Sequence, residues 1–117
     1  MNRPFDLRPC RPLLLLAGLS LALALPTTAV AGDPAAGKTK AKACVNCHGL
    51  DGVSRLPDAP NLSGQVPEYL ALQLRAYKTG ERRHPVMNVV AQPLTDQDID
   101  DLATWYSEIE INVTPPP

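Results

Sequence analysis

The stretch Cys44-Val45-Asn46-Cys47-His48 decides how this chain is read. Two thiols separated by two residues fit one turn of helix, which brings both sulfurs to one side. His48 follows at once with an imidazole nitrogen to offer a metal. A C-x-x-C-H run of this kind is an attachment site for a c-type haem. The thiols add across the two vinyl groups as thioethers, and the imidazole binds the iron from one side. Other chemistries use the same residue types. A thioredoxin-like redox pair opens a helix that follows a strand, and no strand is readable upstream of Cys44. A structural zinc site takes four ligands, and only His84 is left to complete one once Cys10 is set aside. The expected cofactor is therefore one covalently attached haem, with Cys44 and Cys47 as anchors and His48 as a ligand to the iron.

The residues before this motif read as a targeting segment. Arg3, Arg8 and Arg11 precede the apolar stretch 13–25, Pro26 breaks it, and Ala29-Val30-Ala31 is a small-x-small cleavage site. The stretch is short for a membrane span; an uncleaved anchor is the alternative. We expect residues 1–31 to be a removed signal peptide and 32–117 to be one domain with a short proline-rich tail. Export agrees with the motif, since thioethers to C-x-x-C-H are completed outside the bacterial cytoplasm. The expected location is the periplasm. With Cys10 removed, both remaining thiols are used by haem, which leaves no disulfide.

A domain this small is near the lower limit for a self-sufficient apolar core, and such domains usually need a staple. A large, flat, apolar haem would serve as one. Residues 32–117 carry eight basic against eleven acidic side chains. That balance gives no reason to expect nucleic acid or an anionic membrane as partner.

Helix signals follow the motif on both sides. Asp33-Pro34 reads as an N-cap and a first-turn proline, opening a helix over 35–43 that delivers Cys44; Gly37 inside it costs about 1 kcal/mol relative to alanine. Residues 49–65 are punctuated by Gly49, Gly52, Pro57, Pro60 and Gly64 and read as a loop. A loop of that length is usually functional, here by wrapping one side of the haem. Val66-Pro67 opens a second helix that Gly80 stops. Its stripe of Leu70, Leu74 and Tyr77 reads as ordinary core packing. Residues 81–94, with Pro85 and Pro93, read as a second irregular stretch. Thr95-x-x-Asp98 resembles a capping box and starts the last helix, whose early aspartates suit the helix dipole. Ile99, Leu102, Tyr106 and Ile109 form its expected buried face.

The sixth iron ligand is less directly encoded. Met87 is the single methionine after the leader and sits between prolines rather than on a helical stripe. A thioether favours ferrous iron and raises the reduction potential. His84 is the rival ligand, and a five-coordinate iron is the third arrangement.

The order helix, CVNCHGLDG, loop, APNLSGQ, helix, HPVM, helix resembles the bacterial class I (monohaem) cytochromes c. It is most similar to the branch with cytochrome c-553 and the single haem domains of cytochrome c4. The resemblance covers residues 32–109. It implies an all-α fold of three main helices plus loops around one haem. It implies that Pro60 offers its backbone carbonyl to the His48 imidazole, fixing the ring. It implies that Gly37 packs near Trp105 or Tyr106, where the first and last helices cross. In this family Asn or Asp is usual before Pro-Val-Met; here His84 stands there. The implied activity is not enzymatic. It is a one-electron carrier with His48/Met87 ligation, handing electrons through an exposed haem edge to periplasmic or membrane-bound redox partners. The alternative is a dedicated haem subunit of a periplasmic dehydrogenase, such as a sulfide-oxidising flavoprotein, or of an oxidase complex. Arg55, Arg75, Lys78, Arg82 and Arg83 are candidates for contacts with propionates or partners.

Overall fold

A computed structural model describes residues 32–117. The expected signal peptide, with Cys10, lies outside the described residues. All regular structure among the described residues is helical: α1 (Pro34–Lys40), a 3₁₀ turn (Ala41–Ala43), α2 (Val45–His48), α3 (Pro67–Thr79), α4 (Pro85–Ala91) and α5 (Asp96–Ser107).

α1 begins as its sequence dictates. The Asp33 carboxylate accepts from the Ala35 N–H at 2.8 Å, and Pro34 occupies the first turn, where its missing donor costs nothing. The helix tightens at its end, so Cys44 N–H reaches back only three residues to the Ala41 carbonyl, 2.8 Å away. The chain then makes the single turn α2, which carries Cys47 and His48.

α1 crosses α5 in backbone contact, and Gly37 is the reason. A Cβ there would lie 2.1 Å from the Asp101 carbonyl oxygen and 2.8 Å from the Trp105 Cβ. The family resemblance had placed Gly37 near Trp105 or Tyr106, and it touches Trp105. The crossing is pinned by Asp101, which is only 3% exposed. Its Oδ1 accepts from the Asp33 N–H and from Gln97 Nε2, each at 2.8 Å. In the sequence Asp101 is one more acidic residue near a helix start; only the crossing gives it partners.

α5 opens with a complete capping box. Thr95 Oγ1 accepts from the Asp98 N–H at 3.1 Å, and Asp98 Oδ2 accepts from the Thr95 N–H at 2.9 Å. Lys40 pairs with Asp98 across the α1–α5 junction. α5 stops at Ser107, so Ile109 packs against the core from beyond the helix end. α3 starts on Pro67 and ends at Gly80, whose φ of 82° is the left-handed stop that glycine adopts without strain.

The stretch 81–94 departs from expectation. It contains α4, seven residues long. His84 acts as the N-cap and Pro85 takes the first turn, the same arrangement as Asp33-Pro34. Histidine is a rare cap, and two turns are too few to build a readable period.

The buried hydrophobic core is small and rich in alanine: Ala41, Leu70, Ala71, Ile99, Leu102, Ala103 and Tyr106. Ile99 is the one large side chain among the described residues that is fully enclosed. The remaining apolar faces turn toward a common cavity.

Two outcomes are expected. Gly37→Ala must push the helices apart and lower stability by about 1–3 kcal/mol, read by denaturant unfolding of the haem-loaded protein; wild-type stability would mean the crossing is not tight. The Lys40 ammonium, then the Thr95 hydrogen bonds, hold Asp98 at a pKa of about 2 against the usual 3.8. A depressed carboxylate pKa adds stability above the unfolded value and loses it as pH falls. The stability gap between wild type and Asp98→Asn should therefore close between about pH 4 and pH 2. A gap constant across that window would contradict the ion pair.

Candidate haem site

The crossing aims the end of α1 at the cavity. Cys44 is half-buried there. Burial pushes its thiol pKa up, and the neighbouring Tyr106 hydroxyl offsets only part of that rise. The Tyr106 hydroxyl is itself driven well above the usual phenol value, first by burial and then by Cys44. Cys47 is also half-buried, and its carbonyl takes the Arg55 N–H at 2.8 Å.

His48 is 7% exposed. Its Nδ1 lies 2.9 Å from the Pro60 carbonyl oxygen. A carbonyl can only accept, so Nδ1 carries the proton and Nε2 keeps a free lone pair. This is the tautomer a metal-binding imidazole needs, with the second-shell partner that fixes its plane.

Pro60 is held by its own loop. The Ser54 N–H donates to Asn61 Oδ1 at 2.7 Å, and the Leu62 N–H to the Gly52 carbonyl, also at 2.7 Å. Gly52 has a φ of 71°, and a Cβ on it would stand 2.5 Å from the Ser63 nitrogen. α5 ties down the far side of the loop: Trp105 Nε1–H donates to the Leu50 carbonyl at 3.1 Å, and the Tyr106 hydroxyl to the Gly49 carbonyl at 3.2 Å.

Cys44, His48, Pro60 and Met87 all line one cavity of about 310 Å³. Leu70, Leu74 and Tyr77 line it too. The α3 stripe expected to be core packing does both: Leu70 belongs to the core and Leu74 packs against it, while all three side chains also border this cavity. Leu102 and Tyr106 of α5 close the back. His84 is not part of the lining. Its Nδ1 accepts from the Val86 and Met87 N–H groups, both at 3.3 Å, and its ring meets Tyr77 edge-on. The imidazole nitrogen nearest the backbone is occupied in capping α4.

The candidate basic residues separate clearly. Arg75 pairs with Asp100 at 2.6 Å, Arg55 pairs with Asp51 at 2.9 Å, and Lys78 donates to the Leu94 carbonyl. Arg82 alone of the five reaches the cavity lining, stacked 4.7 Å over the Tyr77 ring. Lys40, which the sequence did not single out, also lines it.

The cavity fits the expected prosthetic group in three ways. Its walls are mostly hydrocarbon, an imidazole with a free Nε2 and a thioether both border it, and a thiol sits at its edge. Without an apolar occupant, the sparse core would leave these walls facing water.

Residues 34–109 match the family model described as cytochrome c. The chain is 46% identical over 83 residues to cytochrome c-554(548) of Halomonas halodenitrificans, covering 68% of this chain and 100% of that one. It is 37% identical over 112 residues to the thiosulfate dehydrogenase electron acceptor of Thiomonas intermedia, covering 93% of this chain and 49% of that one. The crystal structure of reduced recombinant cytochrome c4 from Pseudomonas stutzeri superposes with a TM-score of 0.65 at 38% identity, covering 68% of this chain and 47% of that one. The chain spans about half the length of the cytochrome c4 and electron-acceptor proteins it matches.

Proposed function

The chain belongs to the cytochrome c family, and from that premise we propose that it is an exported, periplasmic one-electron carrier with His48 and Met87 as axial ligands. Its fold is the class I cytochrome c fold and its cofactor is haem c, carried on Cys44 and Cys47. Haem c supplies a one-electron ferric/ferrous couple.

The observation that carries the reading is the pairing of two facts about one cavity. His48 is locked by Pro60 with Nε2 free, and Met87 shares its lining while His84 does not. The chain's own residues then do three things. Cys44, just before α2, and Cys47 within it would hold the cofactor edge. The Pro60 carbonyl keeps the His48 ring from rotating and makes it a stronger donor. Leu70, Leu74 and Leu102 exclude water, and the Met87 sulfur favours the reduced state, so both raise the reduction potential. Were His48 and Met87 both to bind the iron, no coordination site would be left for a substrate. The signal peptide expected from the sequence of residues 1–31 supports the periplasmic location. Among the described residues no helix is long and apolar enough to cross a membrane.

Optical spectra of the haem-loaded protein test the ligand. Wild type should show the long-wavelength sulfur-to-iron charge-transfer band when oxidised and no change with carbon monoxide when reduced. Met87→Ala should lose the band, bind carbon monoxide and show a lower potential. If that variant keeps the wild-type spectrum, Met87 is not the ligand.

A second reading has its own support, since a relative spanning nearly the whole chain is named as the electron acceptor of thiosulfate dehydrogenase. In that reading the protein serves one dedicated dehydrogenase. Purification from the periplasm at low salt separates the two: a stoichiometric larger partner means a subunit, and a free monomer means a diffusing carrier.

A further inference from the structure

α4 is a slender support for an iron ligand. It has seven residues, of which only Ala91 is buried, and a helix so short does not persist by itself. Val86 and Val89 are 53% and 72% exposed, so apolar packing grips the helix from one side only. The Met87 sulfur nevertheless has to stay at one place in the cavity, and the apolar contact with α3 centres on Ala91, a turn beyond it.

The residue after Met87 acts on the first turn itself. The Asn88 carboxamide uses every hydrogen-bonding group it has. Its Oδ1 accepts from the His84 N–H at 2.6 Å. Its Nδ2 donates to the Tyr77 carbonyl at 2.5 Å and to the Arg82 carbonyl at 2.8 Å. These partners lie on three separate pieces of chain: the last turn of α3, the connection after it, and the N-cap of α4. One acceptor and two donors on so short a side chain is a combination only asparagine offers. Aspartate has acceptors alone, which would face two carbonyls. The backbone Asn88 N–H closes the same turn onto the His84 carbonyl at 3.1 Å. α4 is thus fastened to the end of α3 at the very turn that carries Met87.

We propose that Asn88 is the positioning residue for the Met87 sulfur. Its clasp of α4 onto α3 keeps the sixth position of the iron closed to external ligands. This rests on Met87 being the axial ligand. Without the clasp the first turn of α4 swings away more often, and the apparent affinity for an outside ligand rises with the fraction of open molecules.

Imidazole titration of the oxidised, haem-loaded protein tests it, with the sulfur-to-iron charge-transfer band as a second readout. Wild type is compared with Asn88→Ala, Asn88→Asp, Met87→Ala and Thr95→Ala. Both Asn88 variants should bind imidazole roughly tenfold or more tightly than wild type, since several hydrogen bonds are lost, and the band should weaken. Thr95→Ala loses a cap on α5, away from this turn, and should bind imidazole like wild type. Met87→Ala should mark the fully open limit. If Met87→Ala leaves band and affinity unchanged, the ligand reading fails and takes the clasp with it. If Met87→Ala opens the iron and the Asn88 variants behave as wild type, the clasp alone is overturned. An equal rise in Thr95→Ala also overturns it, because general destabilisation would then explain the effect. Should neither Asn88 variant load haem, hydrogen exchange in the wild type decides. The His84 amide should be protected well beyond open-chain rates, and an unprotected amide overturns the proposal.

Discussion

The contact of α1 with α5 at Gly37 is the constraint from which the rest of the molecule is built. Two helices meet backbone to backbone only where one of them has no side chain, so the contact has a single register. Asp101 then finds the Asp33 N–H, and Lys40 finds Asp98. The same register sets Cys44 against the Tyr106 hydroxyl and brings Trp105 over the loop carbonyl of Leu50. An error in this crossing would be carried directly to the position of the haem anchors.

Around that crossing the protein leaves its own core incomplete. Among the described residues the enclosed hydrophobic side chains are few and half of them are alanine, and a domain of this size has little apolar surface to spare. The faces that would complete a core instead border the haem cavity, so the cofactor acts as a structural element as well as a redox centre. This explains why a long loop without regular structure is held so firmly. Hydrogen bonds from α5 fasten its start, and Gly52, with its positive φ, lets the chain turn back against Ser63. Its one chemical task, presenting the Pro60 carbonyl to His48, needs a fixed backbone and no particular side chain.

The opposite side of the cavity is organised differently. α4 packs on α3 with only Ala91 buried, and polar contacts made by His84 and Asn88 fasten its first turn. A wall held by hydrogen bonds and a wall held by a tight helix crossing respond to different perturbations. In the proposed arrangement, the second governs stability and the first governs access to the iron.

Local chemistry determined what the chain could announce by itself. The C-x-x-C-H run, the Asp33-Pro34 start, the Gly80 stop and the Thr95/Asp98 capping box each act within a few residues, so their meaning does not depend on the fold. The all-α class and the haem cofactor follow from them. What depended on residues far apart in sequence was decided only by the tertiary structure. The α3 stripe of Leu70, Leu74 and Tyr77 has helical spacing whether it meets protein or a cavity, and only the assembled structure shows that it meets both. α4 was too short for periodicity to register, and its cap is a histidine. Asp101 and Asn88 look like ordinary polar residues because their partners come from other helices and connections. Local hydrogen-bonding grammar is written in consecutive residues, whereas the worth of a buried polar group is set by whatever the fold brings to meet it.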